Sequence, residues 1–229
     1  RIGVCRIRPM PRIARVVAPN YPHHIAQRGT NKMHIFLDDE DRRYFLLSLK
    51  DYADKTGIKI WAYCLMGNHF HLLLVPEEGQ LLGKCLHGTT FRYAQHFNKK
   101  YERSGRLWQN RYFSCIVDEK EYLWGVARYI ERNPVRAELV SRPELWKWSS
   151  AKAHIKGEAD LYLSKDSWLD DSERAEYQSF INQEWKDDEI RKATSTGRPL
   201  GSQGFTEKLE KELQRYLRPK KGGRPRKME

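Results

Sequence analysis

The chain is short of the features that mark secreted or membrane-spanning proteins. Its four cysteines, Cys5, Cys64, Cys85 and Cys115, are scattered, with no Cys-x-x-Cys pair. That spacing excludes a zinc signature and a disulfide framework and suits a reducing cytoplasm. No apolar run reaches the ~18 residues a bilayer-crossing helix needs, so no membrane partner is expected. Residues 1–9 are basic but lack a long apolar core, which excludes a signal peptide. Met10 reads as a natural start, with residues 1–9 an extension. No internal repeat is visible.

Positive charge is what the chain has in excess. Its 229 residues carry a net charge of +12, with 39% hydrophobic and 31% charged residues. This suits a buried core under a solvated surface and favours a polyanionic partner, above all nucleic acid. Ordinary solubility charge is the plainer alternative. The charge is unevenly spread: residues 157–190 hold 11 acidic and 3 basic residues, and residues 191–229 hold 12 basic and 4 acidic. We therefore divide the chain into the 1–9 extension, a domain over 10–156, an acidic helical segment over 157–190, and a basic helix and tail over 191–229.

Periodicity within the first domain predicts a strand and turn over 23–29 and a helix over 41–55, with Phe45, Leu46, Leu49 and Tyr52 on one stripe. Two strands, 58–65 and 69–75, flank the turn Met66-Gly67-Asn68. A helix over 81–101 and a strand over 112–117 follow. Asp118 opens a third helix with Glu121 as its capping-box partner, and Pro134 ends it near Asn133. The order βαββαβα describes an α+β domain with helices on a mainly antiparallel sheet. Beyond it, 196–201 reads as a linker, 205–217 as an amphipathic helix and 218–227 as a basic tail.

Chemistry centres on His69-Phe70-His71. In a strand, residues two apart share a face, so both imidazoles project together while Phe70 points away. Two such rings can share a divalent metal, although an His-x-His strand is also a common structural feature. On the third helix, Tyr122, Tyr129 and Asn133 fall together beside the core stripe of Leu123, Val126, Ala127 and Ile130. Tyr129 and Asn133 are i and i+4, so their side chains can meet. A tyrosine hydroxyl there can attack a phosphate held by a metal whose coordination an amide oxygen completes. The structural alternatives are an edge tyrosine with a wet hydroxyl and an asparagine capping a short helix that starts at Pro134. Tyr122 is a rival nucleophile on the same face. Trp146 and Trp148 read as core, and His87 and His154 show no partner.

Three stretches together resemble one family. They are Tyr63-Cys64-Leu65-Met66-Gly67-Asn68-His69-Phe70-His71-Leu72-Leu73, Gly105-Arg106-Leu107-Trp108-Gln109-Asn110-Arg111-Tyr112 and Tyr129-Ile130-Glu131-Arg132-Asn133-Pro134-Val135-Arg136-Ala137. Over residues 10–155 the chain resembles the REP-associated tyrosine transposases, which belong to the single-tyrosine HUH transposases. His23-His24-Ile25 and Arg28-Gly29 resemble the family's first strand. The resemblance implies a ferredoxin-like fold with a central antiparallel sheet. It implies His69 and His71 as ligands of Mg²⁺ or Mn²⁺, Asn133 at the third ligand position (Gln in some relatives) and Tyr129 as nucleophile. The implied substrate is single-stranded DNA beside a palindromic hairpin, cut to give a 5′-phosphotyrosine link and a free 3′-hydroxyl. Relatives act as monomers or as homodimers in which the tyrosine helix serves the partner, and the implied location is the cytoplasm, at the nucleoid.

Arg106, Trp108, Gln109, Asn110, Arg111 and Tyr112 mix cations, amides and aromatics suited to phosphates, base edges and stacking. Trp108 equally suits a loop anchor. Arg28 and Asn31 lie where a hairpin could be touched, with a turn contact the alternative for Arg28. Gly223-Arg224-Pro225-Arg226-Lys227 resembles an AT-hook, whose arginines enter a narrow minor groove; a basic tail also binds phosphates without specificity. Four functions compete: a DNA-cleaving and joining transposase, a catalytically inactive DNA-binding or regulatory relative, an initiator-like nickase, and a generic metallohydrolase. The last leaves the tyrosine and the basic surface unexplained.

Overall fold

The computed structural model describes residues 15–118, 122–166, 168–183 and 187–218. Arg224, Arg226, Glu121 and Cys5 lie outside them. Four strands, β1 (His23–Arg28), β2 (Ile58–Leu65), β3 (His69–Pro76) and β4 (Phe113–Ile116), form one sheet in the order β2-β3-β1-β4. All three pairings are antiparallel. Helix α1 (Asp39–Thr56) crosses from β1 to β2, and α2 (Gly79–Lys100) crosses from β3 to β4. This is the ferredoxin-like split βαβ arrangement that the family resemblance implies. Among the described residues six further α-helices follow: α3 (Leu123–Glu131), α4 (Asn133–Arg136), α5 (Ala151–Lys156), α6 (Arg174–Phe180), α7 (Asp187–Thr196) and α8 (Gln203–Glu212).

The sheet is buried on both faces, which explains why β3 reads as an almost unbroken apolar run. On one face Phe70, Leu72 and Leu74 join Ile25, Phe45, Leu49 and Leu86 in a core under α1 and α2. On the other, Leu73 joins Ala62, Cys64, Cys115, Val126 and Ile130 under α3. The period of two therefore puts His69 and His71 on the α3 side. Helix α1 starts at Asp38, whose carboxylate accepts from Asp41 N at 2.9 Å in a reciprocal capping box, and stops at Gly57 with φ 61°. Gly29 is needed for close approach: a Cβ there would lie 2.5 Å from Met33 O.

The expected start of the third helix borders undescribed residues. The helix is described from Leu123; residues 119–121 lie outside the described residues, but Tyr122 N donates to Asp118 O at 3.1 Å, the bond a helix capped at Asp118 makes, while Asp118 N donates to Leu200 O at 2.8 Å. Leu200 is buried and forms a parallel bridge with Val117, so the expected 196–201 linker adds to the sheet edge. The charge reversal at 190/191 falls inside α7. Helix α8 ends before 217 because the Glu210 carboxylate turns back to accept from Leu217 N at 2.7 Å.

A buried carboxylate ties the later helices to α3. Glu131 is fully buried; its Oε1 accepts from Ser150 Oγ at 2.6 Å and meets His154 Nδ1 at 2.5 Å. Its Oε2 accepts from Tyr177 Oη at 2.9 Å. His154, expected to have no partner, is thus one of three groups that satisfy a charge inside the protein. Trp148 is buried and Trp146 half-buried, the latter donating to Leu65 O at 3.1 Å.

Candidate active site

The strand alternation and the packing of α3 assemble one centre. His71 is buried and His69 half-buried on β3, with ring centroids 5.2 Å apart. Tyr129 comes down from α3 with its ring edge-on to His71 at 5.5 Å, and edge-on at the same distance to His24 of β1. These rings line a cavity of ≈ 430 Å³ that Arg28, Lys32 and Arg191 also border. Arg191, on α7, pairs with Asp188 at 3.0 Å, and its charge acts on the Tyr129 side chain. Tyr122 sits at the N-cap of α3 against the core and is not among the residues lining this cavity.

Asn133 opens α4, one turn after Tyr129. Its Nδ2 donates to Tyr129 O at 2.9 Å and to Ile130 O at 3.2 Å, closing the last turn of α3. That fixes the amide, so Oδ1 faces away from the helix end. There it accepts from Arg136 Nη2 at 2.8 Å, close enough to His69 to act on its charge. The Arg136 guanidinium lies 4.3 Å from the Tyr129 ring centre and pairs with Asp187 at 2.7 Å. Asp187 also meets Arg128 at 3.2 Å, which docks the start of α7 on α3.

Electrostatics keep the imidazoles neutral. Burial, then the charges of Arg28 and Arg136, push His69 down to about 4, against a smaller upward pull from Asn133. His71 is pushed well below the ordinary histidine value by burial, His24, His69 and Arg136. Burial and Arg136 lower His24 to about 3. A neutral ring offers a lone pair, as metal binding requires. Asn68 Nδ2 donates to Lys32 O at 3.1 Å, which turns Asn68 Oδ1 toward His69 Nδ1 at 2.6 Å. Oδ1 can only accept, so Nδ1 carries the proton and Nε2 is left as the donor atom. Among the described residues no group of three or more His, Cys, Asp or Glu could hold a metal. A metal held here would need an amide as its third donor, and two neutral imidazoles with Asn133 Oδ1 fit a divalent cation. The Arg136 contact on that oxygen is the one feature that competes.

The expected DNA-contacting residues are gathered only in part. Arg28 borders the cavity, and its Nε donates to Gln109 at 2.9 Å, linking β1 to the 105–112 loop. Arg106, Trp108, Gln109, Asn110 and Arg111 line a second groove of ≈ 760 Å³ against α2. Within it Trp108 is the anchor: its ring packs on Phe70 at 5.6 Å and Nε1 donates to Thr90 O at 2.9 Å. Asn31 lines neither cavity; it is exposed with φ 52°, a left-handed turn position that asparagine tolerates. Sequence reasoning missed His24 as part of the centre, and Arg136, Asp187, Arg191 and Thr194 altogether. The available signal was the i, i+4, i+7 spacing of Asp187, Arg191 and Thr194, which puts all three on one face of a helix.

A ferredoxin-like sheet presenting a histidine pair to a tyrosine on the helix after its last strand defines a class, and the sequence comparison agrees with it. The chain belongs to the family described as "Transposase IS200 like", whose sequence model matches residues 18–133. It is 26% identical to the "Putative REP-associated tyrosine transposase" of Haemophilus influenzae (strain ATCC 51907 / DSM 11121 / KW20 / Rd), over 61% of this chain and 89% of that protein. Its fold matches the "Structure of the REP associates tyrosine transposase bound to a REP hairpin" with a TM-score of 0.55 at 16% identity. That match covers 71% of this chain and 96% of the other. Among the described residues no helix is long and apolar enough to cross a membrane.

Proposed function

We propose that this chain cuts and rejoins single-stranded DNA beside palindromic hairpins through a covalent 5′-phosphotyrosine at Tyr129. The observation that carries the reading is the placement of Tyr129 edge-on to His71 at 5.5 Å in one cavity bordered by three cations. Tyr129 Oη attacks phosphorus; the Oη–P bond forms as the P–O3′ bond breaks. The phenolic proton leaves to solvent and O3′ takes up a proton, giving a free 3′-hydroxyl. Rejoining runs the same bonds in reverse. Arg191, which borders the same cavity as Tyr129, favours negative charge on Oη as it attacks and again as it leaves. Arg28 and Lys32 hold the flanking phosphates.

His69, His71 and Asn133 would hold a Mg²⁺ or Mn²⁺ ion, which when bound polarises the scissile phosphodiester and neutralises the charge it gathers. Within one chain Tyr129 faces that chain's own histidine pair, which supports action in cis. The groove along α2, with Arg106 and Arg111 exposed on its rim, is the surface we assign to the hairpin or its flank. A second reading, DNA binding without turnover, draws on one observation: Asn133 Oδ1 is engaged by Arg136.

The test is covalent capture. Wild type, His69→Ala and Tyr129→Phe are incubated with labelled single-stranded hairpin DNA from the gene's own flanks and Mn²⁺, then run on a denaturing gel. A metal-dependent adduct in wild type alone is the expected result. Cleavage retained by Tyr129→Phe removes Tyr129 as nucleophile, and tight binding with no adduct on any flank favours the second reading.

A further inference from the structure

Helix α7 lies beyond the residues matched by the family, yet its inner face reaches the centre at three successive points. Asp187 meets Arg136, Arg191 meets Tyr129, and Thr194 meets His24. The last contact belongs to a continuous chain of hydrogen bonds. Thr194 Oγ1 lies 2.8 Å from Ile190 O, His24 Nδ1 lies 2.8 Å from Thr194 Oγ1, and His24 Nε2 lies 2.9 Å from His71 Nδ1. All the side chains in it are buried.

The proton positions along this chain follow from its first member. Ile190 O can only accept, so the Thr194 hydroxyl proton lies on the line to it. Thr194 Oγ1 then has only lone pairs to offer, and His24 Nδ1 must carry a proton to bond it. Cys115 Sγ, 3.4 Å from the same oxygen, donates to the other lone pair; burial pushes this thiol up to about 12, so it keeps its proton. His24 is neutral and has spent its one proton at Nδ1, so its Nε2 accepts. His71 Nδ1 must therefore be the donor, which leaves His71 Nε2 as a bare lone pair. The reverse order would set two oxygens 2.8 Å apart with no proton between them. It would also put a proton on His71 Nε2, where no cation could bind.

We propose that Thr194 and His24 are positioning residues: a relay from helix α7 locks His71 in the tautomer whose Nε2 can bind a metal. The metal-binding half of this statement rests on the function proposed above; the tautomer half does not. His69 reaches the same state through Asn68 alone, so the two ligand candidates are set from opposite ends, one by its neighbour in sequence and one by a helix some 120 residues away.

Two readouts test this on the full chain. Long-range ¹H–¹⁵N NMR on metal-free, ¹⁵N-histidine-labelled protein reads which ring nitrogen is protonated, and calorimetric titration with Mn²⁺ reads affinity. Wild type should show His24 and His71 protonated at Nδ1. Thr194→Val, which keeps shape and removes the hydroxyl, should lose that state at both rings and weaken Mn²⁺ binding by about 10–100-fold. Thr194→Ser should restore both. His71 protonated at Nε2 in wild type overturns the relay, as does a Thr194→Val protein with unchanged tautomers. The Nδ1 state in wild type with its loss in Thr194→Val, but no Mn²⁺ binding by wild type, supports the relay and overturns the metal reading instead.

Discussion

Tyr177→Phe isolates the worth of the Glu131 cluster. The hydroxyl it removes donates to Glu131 Oε2 at 2.9 Å inside the protein. Burial, then the charge of Glu131, raises the Tyr177 phenol well above its ordinary value, so it remains a donor at any working pH. The phenylalanine ring keeps the contacts with Trp124 at 5.5 Å and Trp168 at 5.1 Å, so no cavity of consequence is made. What is lost is one hydrogen bond to a charged acceptor, worth about 1.5–3 kcal/mol, with the carboxylate oxygen left short of a partner. Urea unfolding should show a lower midpoint at unchanged slope, and the melting temperature should fall by roughly 3–12 °C. Because the bond joins α6 to α3, one transition should carry the whole loss. A change below about 0.5 kcal/mol, the range of an ordinary surface substitution, refutes the reasoning. A shift confined to one of two separate transitions refutes the idea that these helices unfold together.

Acid should weaken the fold before it reaches the carboxylates. His23 is fully buried; Nδ1 donates to Tyr21 O at 2.7 Å, and Nε2 accepts from Ala18 N at 3.2 Å, so a second proton has no acceptor. Burial lowers it from 6.5 to about 4, so the unfolded chain binds more protons between those values. Its contribution is complete above pH 6.5 and falls by about 3 kcal/mol as pH drops to 4; a flat urea midpoint from pH 7 to 4.5 contradicts this. Gly29→Ala should destabilise by about 1–3 kcal/mol, since the new Cβ meets Met33 O at 2.5 Å and Ile35 Cγ2 at 2.6 Å. The strain should reach His69, because Gly29 N donates to Asn68 O at 2.9 Å. Stability and Mn²⁺ affinity both equal to wild type would exclude that route.

Local periodicity made much of this legible in advance. The period of two in β3 separates Phe70 and Leu72 from His69 and His71, and the four-residue step places Asn133 against Tyr129; both are short-range facts. The pairing of Asp118 N with Leu200 O, more than eighty residues on, had no local signal. His24 reads as one more buried strand residue until His71 and Thr194 are seen on either side of it. Helix α7 was hardest to read: in Asp187–Thr196 only Ile190 and Ala193 are apolar, so it looks like a solvated helix. Its inner face is buried by polar groups that find their partners across the site, and such pairing leaves no hydrophobic signature.

Helix α7 also gives the protein an order of assembly in time. It follows Asn133 by about 50–60 residues, and a ribosome adding roughly 5–20 residues per second needs about 3–12 s to cover that distance. For that interval a nascent chain holds the histidine pair, the tyrosine and the asparagine without the helix that braces them. On the proposed relay, a chain stalled or truncated before α7 would fold its sheet yet leave the His71 tautomer unlocked. On the proposed function, the cutting centre would mature only after the sheet that carries its histidines has been made.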